Sequence, residues 1–161
     1  MKILVFSDSH GESALMNDII KKMHDEIELV LFLGDCVRDF EDFCYIYPTK
    51  QFIPVLGNCD FNDSVPTDRV VNVDGKKIFM SHGHRYGVKS GHEKIIQEAK
   101  KHSADICLYG HSHIANNIVA DGVYLMNPGS MSEPRGSEYP SYGIIEITGG
   151  NIDIKVVETK A

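Results

Sequence analysis

The sequence predicts an α/β fold in which two β-sheets pack face to face in a sandwich and helices flank it on the outside. In the N-terminal half, short and wholly apolar runs alternate with segments of helical periodicity, as expected for strands buried on both faces. From Ile114 onward the pattern changes to short alternating strands separated by turns. The 161 residues contain no repeat or linker, and 42% of them are hydrophobic. We therefore expect a single domain over residues 1–161.

The first half of the chain contains three predicted strands, each an apolar run, and two predicted helices. Leu15, Ile19 and Met23 recur at helical spacing with polar residues between them, so the first helix has one apolar face. The predicted elements, in order, are the strand Lys2–Phe6, a helix from Glu12 to about His24, the strand Leu29–Leu33, a short helix at Asp39–Tyr45 and the strand Gln51–Leu56.

The second half begins with a hairpin and ends in antiparallel strands. Asp74-Gly75-Lys76 is a turn sequence between two β-rich runs. Asp121-Gly122 and Gly149-Gly150 are further turns of this kind. The predicted elements are the strands Arg69–Val73 and Lys77–Ser81, a helix at Gly91–His102, the strand Ile106–Tyr109, and strands at about 115–120, 123–127, 142–148 and 151–158.

The charge balance excludes some classes of partner. The 16 Lys and Arg residues against 23 Asp and Glu give a formal charge of −7, and all of this excess lies in residues 1–65. Without a basic cluster, we expect no broad nucleic-acid binding and no binding to anionic membranes. The apolar run at the start of the sequence is too short for a signal peptide or a membrane span, so we expect a cytoplasmic protein. The four cysteines form no CxxC pair, and we expect them to be reduced thiols. The oligomeric state is left open, a homodimer included.

Chemistry-bearing residues follow five of the predicted strands. Each of these strands ends in a glycine-containing loop that carries Asp, Asn or His. Ligands bind at the carboxyl ends of strands in open α/β sheets, so we expect these side chains to converge. A helix cap or a turn explains any one of the loops, but not five in phase with five strands. The candidate metal ligands are Asp8, His10, Asp35, Asn58, His82, His111 and His113.

The types of these side chains indicate the metal. Imidazoles with two carboxylates and one amide oxygen suit a divalent first-row ion, whereas Ca²⁺ prefers oxygen ligands alone. Seven ligands are too many for one ion and about right for two that share a bridging carboxylate. Two such ions about 3.5–4 Å apart can generate a hydroxide and hold both ends of an in-line displacement. We expect two divalent ions, manganese first and iron, zinc or nickel as alternatives, and hydrolysis of a phosphate ester.

These motifs together resemble the calcineurin-like metallophosphoesterases, and within them the small single-domain phosphodiesterases of bacteria and archaea. The likeness runs from Met1 to Ser130, nearly the whole chain. It implies an αββα sandwich, a dinuclear metal centre, a small phosphorylated substrate and attack on a phosphodiester by a metal-bridging hydroxide. It also implies two metal sites with Asp35 as the bridge: Asp8, His10, Asp35 and His113 in one, and Asp35, Asn58, His82 and His111 in the other.

One position departs from the family pattern. Many members have a histidine directly after the metal-binding asparagine, to protonate the leaving oxygen, whereas this chain has Cys59 followed by Asp60. A thiol with a pKa of about 8.5 is a poor general acid near neutral pH. We therefore expect weak activity unless the leaving group is good or His84 gives the proton. His84, Asn58, Cys59 and Asp60 form the candidate catalytic set, with His84 or Asn58 stabilising the phosphate oxygens.

Two arginines are candidate phosphate contacts. Arg85 follows His82 by three residues, and Arg135 lies in a loop after the predicted turn Asn127-Pro128-Gly129-Ser130. A guanidinium fork suits phosphate, but a solvated loop cation explains either residue equally well. We interpret the Asn127–Ser130 turn as structural. The histidines outside the motifs, His24, His92 and His102, are expected on solvated helix surfaces.

A second function class remains open. The same fold serves as a non-catalytic scaffold in the retromer coat, where metal ligands are partly lost and the surface binds proteins. This chain retains every ligand position, which favours an enzyme over a scaffold. Metal uptake and turnover of a phosphodiester separate the two.

Overall fold

The computed structural model describes residues 1–61 and 64–159 of the chain, so the predicted domain is covered apart from residues 62–63 and 160–161. It contains ten strands in two five-stranded sheets, and four α-helices. The helices are α1 (Ser13–Lys22), α2 (Arg38–Glu41), α3 (Phe43–Ile46) and α4 (Glu93–Lys101). The strands are β1 (Lys2–Phe6), β2 (Leu29–Phe32), β3 (Gln51–Pro54), β4 (Asp68–Val73), β5 (Lys76–Ser81), β6 (Ile106–Leu108), β7 (Asn116–Ala120), β8 (Val123–Asn127), β9 (Ser141–Thr148) and β10 (Asn151–Glu158).

Both sheets are mixed. The first has the strand order β10-β9-β1-β2-β3, in which β1, β2 and β3 are parallel and β9 runs antiparallel to β1. The second has the order β4-β5-β6-β8-β7, with β5, β6 and β8 parallel. Parallel strands share the direction of their carboxyl ends, so each sheet gathers its following loops at one edge.

The core lies in three layers that the strand periodicity produces. Successive side chains of a strand point to opposite faces, so Ile3 and Val5 of β1 face the second sheet while Leu4 and Phe6 face outward. The inner layer is filled by aliphatic side chains of both sheets. Helices α1, α2 and α3 cover the outer face of the first sheet, and α4 covers that of the second. The predicted αββα sandwich is confirmed.

Three predicted turns have the backbone that a tight hairpin needs. Asp74 and Gly75 have φ values of 47° and 79°, and Asp121 and Gly122 have 51° and 78°. Positive φ at both central residues matches the right-handed twist of the flanking strands. These turns join β4 to β5 and β7 to β8, and Gly149-Gly150 joins β9 to β10.

Two features of the second half and one of the first differ from the prediction. The predicted helix 39–45 is two short helices, α2 and α3, which meet at Asp42. Strand β8 pairs antiparallel with β7 on one side and parallel with β6 on the other, and β7 lies at the edge of the sheet. Strand β9 does not continue the second sheet after β8 but pairs with β1 in the first sheet. The two strand pairings join distant parts of the chain, which local periodicity does not contain.

None of the helices in residues 1–61 and 64–159 combines the length and the apolar character that crossing a bilayer requires.

The inner layer gives a direct test of the sandwich. Ile106 of β6 is fully buried between the sheets, whereas Ile118 of β7 is 43% exposed. We expect Ile106→Ala to lower the free energy of unfolding by about 2–5 kcal/mol, because it removes buried methyl groups and leaves a cavity. Ile118→Ala is the matched control and should change it by about 0.5 kcal/mol or less. Urea denaturation measures both; equal losses would contradict this packing.

Candidate metal centre

The five loops predicted to carry chemistry meet at one edge of the sandwich. Backbone hydrogen bonds join neighbouring loops: the amide of Asp8 donates to Gly34 O at 3.0 Å, and the amide of Gly110 donates to His82 O at 2.9 Å. The first pair joins the loops after β1 and β2, and the second joins those after β5 and β6. The convergence expected from the parallel strands is therefore present in both sheets.

Two groups of side chains are placed so that they could hold metal ions. In the first group, ligand atoms of Asp8, His10, Asp35 and His113 all lie within 4.8 Å of one another. In the second group, those of Asp35, His82 and His111 do the same. Asp35 belongs to both. We call these residues together the cluster.

One oxygen of Asp35 faces histidines of both groups. Its Oδ2 lies 3.3 Å from His82 Nε2 and 3.8 Å from His10 Nε2. Its Oδ1 accepts the backbone N–H of Cys59 at 3.0 Å. The carboxylate is buried, so its orientation is fixed by these contacts. Asp35 has the position that a bridging ligand requires.

Asp8 is the second buried carboxylate of the cluster. Its Oδ2 accepts Ser7 Oγ at 2.7 Å and the backbone N–H of His111 at 3.1 Å. Its Oδ1 lies 3.4 Å from His113 Nε2 and 3.8 Å from His82 Nε2, but it has no hydrogen-bond partner in the described part of the chain. One oxygen is thus held by the protein and the other is directed into the cluster.

Backbone carbonyls orient two of the histidines. His82 Nδ1 donates to Leu33 O at 2.7 Å, and His113 Nδ1 donates to Glu133 O at 2.8 Å. A metal-binding histidine commonly donates its other ring N–H in this way, which fixes the tautomer. In both rings the Nε2 atom is therefore the one that faces the carboxylates.

Five of the seven predicted ligands have a left-handed backbone. Positive φ is uncommon in residues other than glycine and costs on the order of 1–3 kcal/mol when the surroundings hold it. Asn58 and His82 are not among them. This strain coincides with the chemistry, as is usual at functional sites. The φ values are 53° for Asp8, 40° for His10, 63° for Asp35, 68° for His111 and 61° for His113.

Gly34 and Gly57 allow two loops to touch. A Cβ at Gly34 would lie 2.4 Å from the backbone N of Gly57, and a Cβ at Gly57 would lie 2.1 Å from Asp35 Oδ1. No side chain fits between these atoms. The glycines before Asp35 and Asn58 are thus required by the close approach of the loops after β2 and β3.

Asp60 holds the same two loops together through its carboxylate. Its Oδ1 accepts the N–H groups of Cys36 and Val37, each at 2.8 Å. Its Oδ2 accepts those of Asp35 at 2.8 Å and Gly57 at 2.9 Å. Four charge-assisted bonds make Asp60 a residue that positions Asp35. The sequence placed it in the catalytic set, and its contacts give it this positioning task.

Burial and mutual contacts shift the pKa values of the most buried pair. Burial alone would raise the pKa of Asp35, but the hydrogen bond and charge of His82, with the Cys59 N–H and the charge of His10, hold it well below its usual range. Burial would lower the pKa of His82, but Asp35 and Asp8 raise it overall. Without metal, the protein favours an ionised pair at this position.

The other two cluster histidines shift in opposite directions. Burial, with the charges of His82 and Lys89, lowers the pKa of His111 to about 4. The nearby Asp8 carboxylate raises the pKa of His113. His111 is therefore neutral near pH 7, the form in which imidazole binds metal.

The remaining members of the candidate catalytic set lie around the cluster. The His84 ring centre is 5.5 Å from that of His82 and 6.1 Å from that of His111. Burial lowers the pKa of His84, so this ring is neutral near pH 7. Asn58 and Cys59 are exposed, and the Asn58 amide lies 3.6 Å from Cys59 Sγ. Burial and the charge of Asp35 raise the pKa of the Cys59 thiol, which keeps its proton.

The two candidate arginines have different surroundings. The Arg85 guanidinium donates to Thr67 Oγ1 at 2.7 Å and lies 4.0 Å from Asp68, so its contacts are with the segment before β4 and the start of that strand. Arg135 is next to the cluster: its backbone N–H donates to His113 O at 2.9 Å, and its charge lowers the pKa of His113.

Several residues hold the cluster in place although they are not candidate ligands. Ser130 and Ser132 both donate to the backbone oxygen of Asp8, at 2.8 and 3.0 Å. Asn127 donates to Gly110 O and to Ser112 Oγ, which secures the loop between His111 and His113. These contacts confirm the structural interpretation of the Asn127–Ser130 turn. The sequence signal that could have indicated this task is the group of small polar residues in and after the predicted Asn127–Ser130 turn.

His92 and His102 were predicted to be solvated, but both have packing or hydrogen-bond partners. His92 Nε2 forms a 3.0 Å hydrogen bond with the Tyr109 hydroxyl. His102 stacks on Phe79, with ring centres 5.5 Å apart and an angle of 11°. The helical pattern places both at helix ends, but tertiary packing supplies their partners. His24, which follows α1, is partly exposed beside Asp25, and its ring centre lies 5.8 Å from that of Tyr47, so it too has a packing partner.

Histidines and carboxylates gathered at the carboxyl ends of strands define a class of metal-dependent hydrolases built on an α/β scaffold. Comparison with known proteins identifies the family within this class. Residues 1–150 match the calcineurin-like phosphoesterase superfamily domain, and the chain belongs to that family. The protein is a metal-dependent phosphoester hydrolase.

Relatives and solved structures agree with this assignment. A probable metallophosphoesterase of Bacillus subtilis, YsnB, is 32% identical over 148 residues, which cover 91% of this chain and 85% of the relative. A crystal structure of a predicted phosphoesterase from Streptococcus pneumoniae has a TM-score of 0.83 at 28% identity, covering 98% of this chain and 88% of that one. Vps29 from Entamoeba histolytica has a TM-score of 0.78 at 22% identity, covering 99% and 100%, and shows the shared fold.

The Asp60 contacts predict a large effect of a small change. Asp60→Asn keeps the shape of the side chain but removes its charge and one acceptor oxygen. We expect the free energy of unfolding, measured in urea without metal, to fall by about 2–4 kcal/mol, because buried N–H groups lose a charged partner. Asp153→Asn on β10 is the control, since that side chain is 63% exposed. A loss at Asp60 no larger than at Asp153 would show that the four bonds do not hold the loops.

The shifted histidines predict how stability depends on pH. A histidine whose pKa is raised by folding stabilises the native state below its unfolded pKa of about 6.5, and this contribution disappears as pH rises through the raised value. His82 and His113 are such residues. We expect the metal-free protein to lose stability as pH rises above about 6.5. His82→Gln should weaken this loss of stability with rising pH, whereas the control His24→Gln should retain it. Chemical unfolding at several pH values measures the difference. An unchanged pH dependence in His82→Gln would contradict the prediction.

Proposed function

We propose that this chain hydrolyses phosphodiesters at a two-metal centre formed by Asp8, His10, Asp35, Asn58, His82, His111 and His113. The observation that carries the proposal is the shared carboxylate. Asp35 belongs to both groups of candidate ligands, and its Oδ2 faces a histidine from each. A dinuclear centre needs a bridging ligand in this position.

The donor set fits divalent first-row ions. Asp8 Oδ1 is a buried carboxylate oxygen without a hydrogen-bond partner in the described residues. Such an oxygen is costly in a folded protein unless a cation or another partner satisfies it. Four imidazoles with two carboxylates suit manganese, iron, zinc or nickel, and we propose manganese as the native ion. Asn58 contributes its amide oxygen in this proposal, after a rotation away from Cys59.

The residues around the cluster then have distinct tasks. When bound, two divalent ions supply the hydroxide nucleophile for in-line attack on phosphorus and neutralise charge on the phosphoryl group. His84 is neutral and within 6.1 Å of two cluster rings, so it serves as a hydrogen-bond donor to a phosphate oxygen rather than as a strong acid. Arg135 adds a positive charge beside His113. Arg85, already paired with Thr67, has a smaller part in binding.

Proton delivery to the leaving group is the weak step. The Cys59 thiol keeps its proton because burial and Asp35 raise its pKa, and a group with a high pKa is a poor acid near pH 7. We infer that the enzyme favours substrates whose leaving oxygen needs little protonation. An aryl phosphodiester is such a substrate.

Two cavities beside the cluster support a diester as substrate. One, of about 570 Å³, includes Ser112 between two cluster histidines; the other, of about 380 Å³, includes His10 and Cys59. A phosphodiester has two organic groups and a monoester only one, so room near both metal groups favours the diester. The free thiols of Cys36, Cys44, Cys59 and Cys107 are in keeping with a reducing, cytoplasmic location.

A scaffold that binds other proteins is the alternative, since Vps29 has the same fold. It predicts no turnover, whereas metal uptake alone does not separate the two functions, since Vps29 from Entamoeba histolytica has also been crystallised with Zn²⁺. The two buried carboxylates and their oriented histidines favour the enzyme, because six of the seven candidate ligands lie in two groups that could hold metal ions.

Replacing the bridging residue tests the proposal. We expect the wild-type chain to bind two Mn²⁺ ions and to hydrolyse bis(p-nitrophenyl) phosphate. Asp35→Asn should reduce bound metal to less than one ion and turnover by about 100-fold or more, because the shared negative charge is lost. Calorimetry and a chromogenic assay measure the two quantities.

Asp153→Asn is the control and should resemble the wild type, since this residue lies on β10 and is exposed. Full activity in Asp35→Asn would refute the bridging role. Absence of turnover in the wild type loaded with Mn²⁺ would favour the scaffold.

A further inference from the structure

We propose that the larger cavity beside the cluster binds the organic group of the substrate, and that this group is a flat ring of aromatic or nucleoside size with a polar edge. The inference rests on the proposed function, since it takes the phosphoryl group to lie at the cluster. It adds a substrate class that the cluster itself does not define.

The cavity begins where the cluster ends. Ser112, which lines it, lies between the ligands His111 and His113 in the sequence. Arg135 also lines it, and its backbone N–H donates to His113 O at 2.9 Å. An organic group attached to a phosphate at the cluster would therefore reach the cavity directly.

The size and the walls suit a ring. An apolar cavity of about 150 Å³ is enough for benzene, and this one has a volume of about 570 Å³. Val88, Ile114 and Ala115 give it apolar walls. Concave sites of this size with mainly apolar walls are typical of small-molecule binding.

Three polar side chains supply the orientation. The Tyr109 hydroxyl accepts a hydrogen bond from the Asn116 amide at 3.0 Å and lies 3.0 Å from His92 Nε2, to which it can donate. This pairing leaves the His92 proton on Nδ1. All three residues line the cavity. This network leaves the His92 Nδ1 proton and the Asn116 oxygen for a ligand, so a ring that carries hydrogen-bonding groups at its edge matches the arrangement better than an alkyl chain does.

Positive charge at the cavity excludes one class of substrate. Lys89 and Arg135 both line it, and the charges of the two residues act on His111 and His113 respectively. Cations there attract the phosphate but repel a positively charged organic group. The cavity is thus unsuited to amino-alcohol esters such as phospholipid head groups.

Phosphonates test this inference, because their carbon–phosphorus bond is not hydrolysed. Phenylphosphonate, methylphosphonate and 2-aminoethylphosphonate present the same anionic group with a ring, a methyl group or a cation attached. We expect the Mn²⁺-loaded protein to bind phenylphosphonate about tenfold more tightly than methylphosphonate, because the ring buries apolar surface. We expect 2-aminoethylphosphonate to bind no more tightly than methylphosphonate. Calorimetry measures all three.

A matched pair of variants assigns the preference to the cavity. Ile114 lines it and is 50% exposed, and Ile118 lies outside it and is 43% exposed. Ile114→Ser should reduce the phenyl-to-methyl affinity ratio by about threefold, while Ile118→Ser should leave it unchanged. Both variants are compared at equal bound Mn²⁺, so that a change in the cluster is not mistaken for a change in the cavity.

The outcomes separate the two proposals. Equal binding of phenylphosphonate and methylphosphonate would overturn the cavity inference and leave the metal centre intact. A preference that Ile114→Ser does not reduce would also overturn it, since the ring would bind elsewhere. If the Mn²⁺-loaded protein binds none of the three phosphonates, the proposed function is overturned, and this inference with it.

Discussion

The contact between Asp35 and His82 joins the two sheets at the point where the chemistry lies. Asp35 follows β2 of the first sheet and His82 follows β5 of the second, and their side chains approach to 3.3 Å in a buried environment. Neither charge is stable there alone, since burial opposes ionisation of each. The pairing of the sheets at this edge, the ionisation of the cluster and the position of the Asp35 carboxylate therefore depend on one another.

This dependence explains the acidic first part of the chain. A formal charge of −7 suggests that the protein repels an anionic substrate, and all of that excess lies in residues 1–65. Those residues supply Asp8, Asp35 and Asp60, none of which is a freely solvated surface charge. Asp60 is satisfied by four backbone N–H groups, and the other two carboxylates face histidines. With divalent ions at the cluster, the local potential becomes positive where the phosphate binds.

The sequence was informative wherever a local pattern determines the outcome. The alternation of Ile3 and Val5 with Leu4 and Phe6 follows from the strand period, and each predicted strand was found within a few residues of its predicted position. The loops that follow the parallel strands gave the members of the cluster, because strand direction alone brings their ends together.

What the sequence could not supply depends on distant partners. The pairing of β8 with β6 and the return of β9 to β1 join strands that are far apart in the chain. The hydrogen bond of His92 depends on Tyr109, a residue of another element, so a helix-surface pattern misassigned it. Asp60 was recognised as important, but its task became clear only when its four backbone partners were located.

Strain and support are divided between different residues of the site. Asp8, His10, Asp35, His111 and His113 have left-handed backbones, which the isolated segments would not favour. Hydrogen bonds from residues outside the candidate ligands oppose this cost: Ser130 and Ser132 bind the Asp8 carbonyl, Asn127 secures Gly110, and Asp60 holds Asp35. A metal centre needs its ligands in place before the ions arrive, because otherwise part of the binding energy is used to order the loops. The supporting residues therefore contribute to the geometry of the candidate ligands, although the sequence motifs do not distinguish this task from ligation or catalysis.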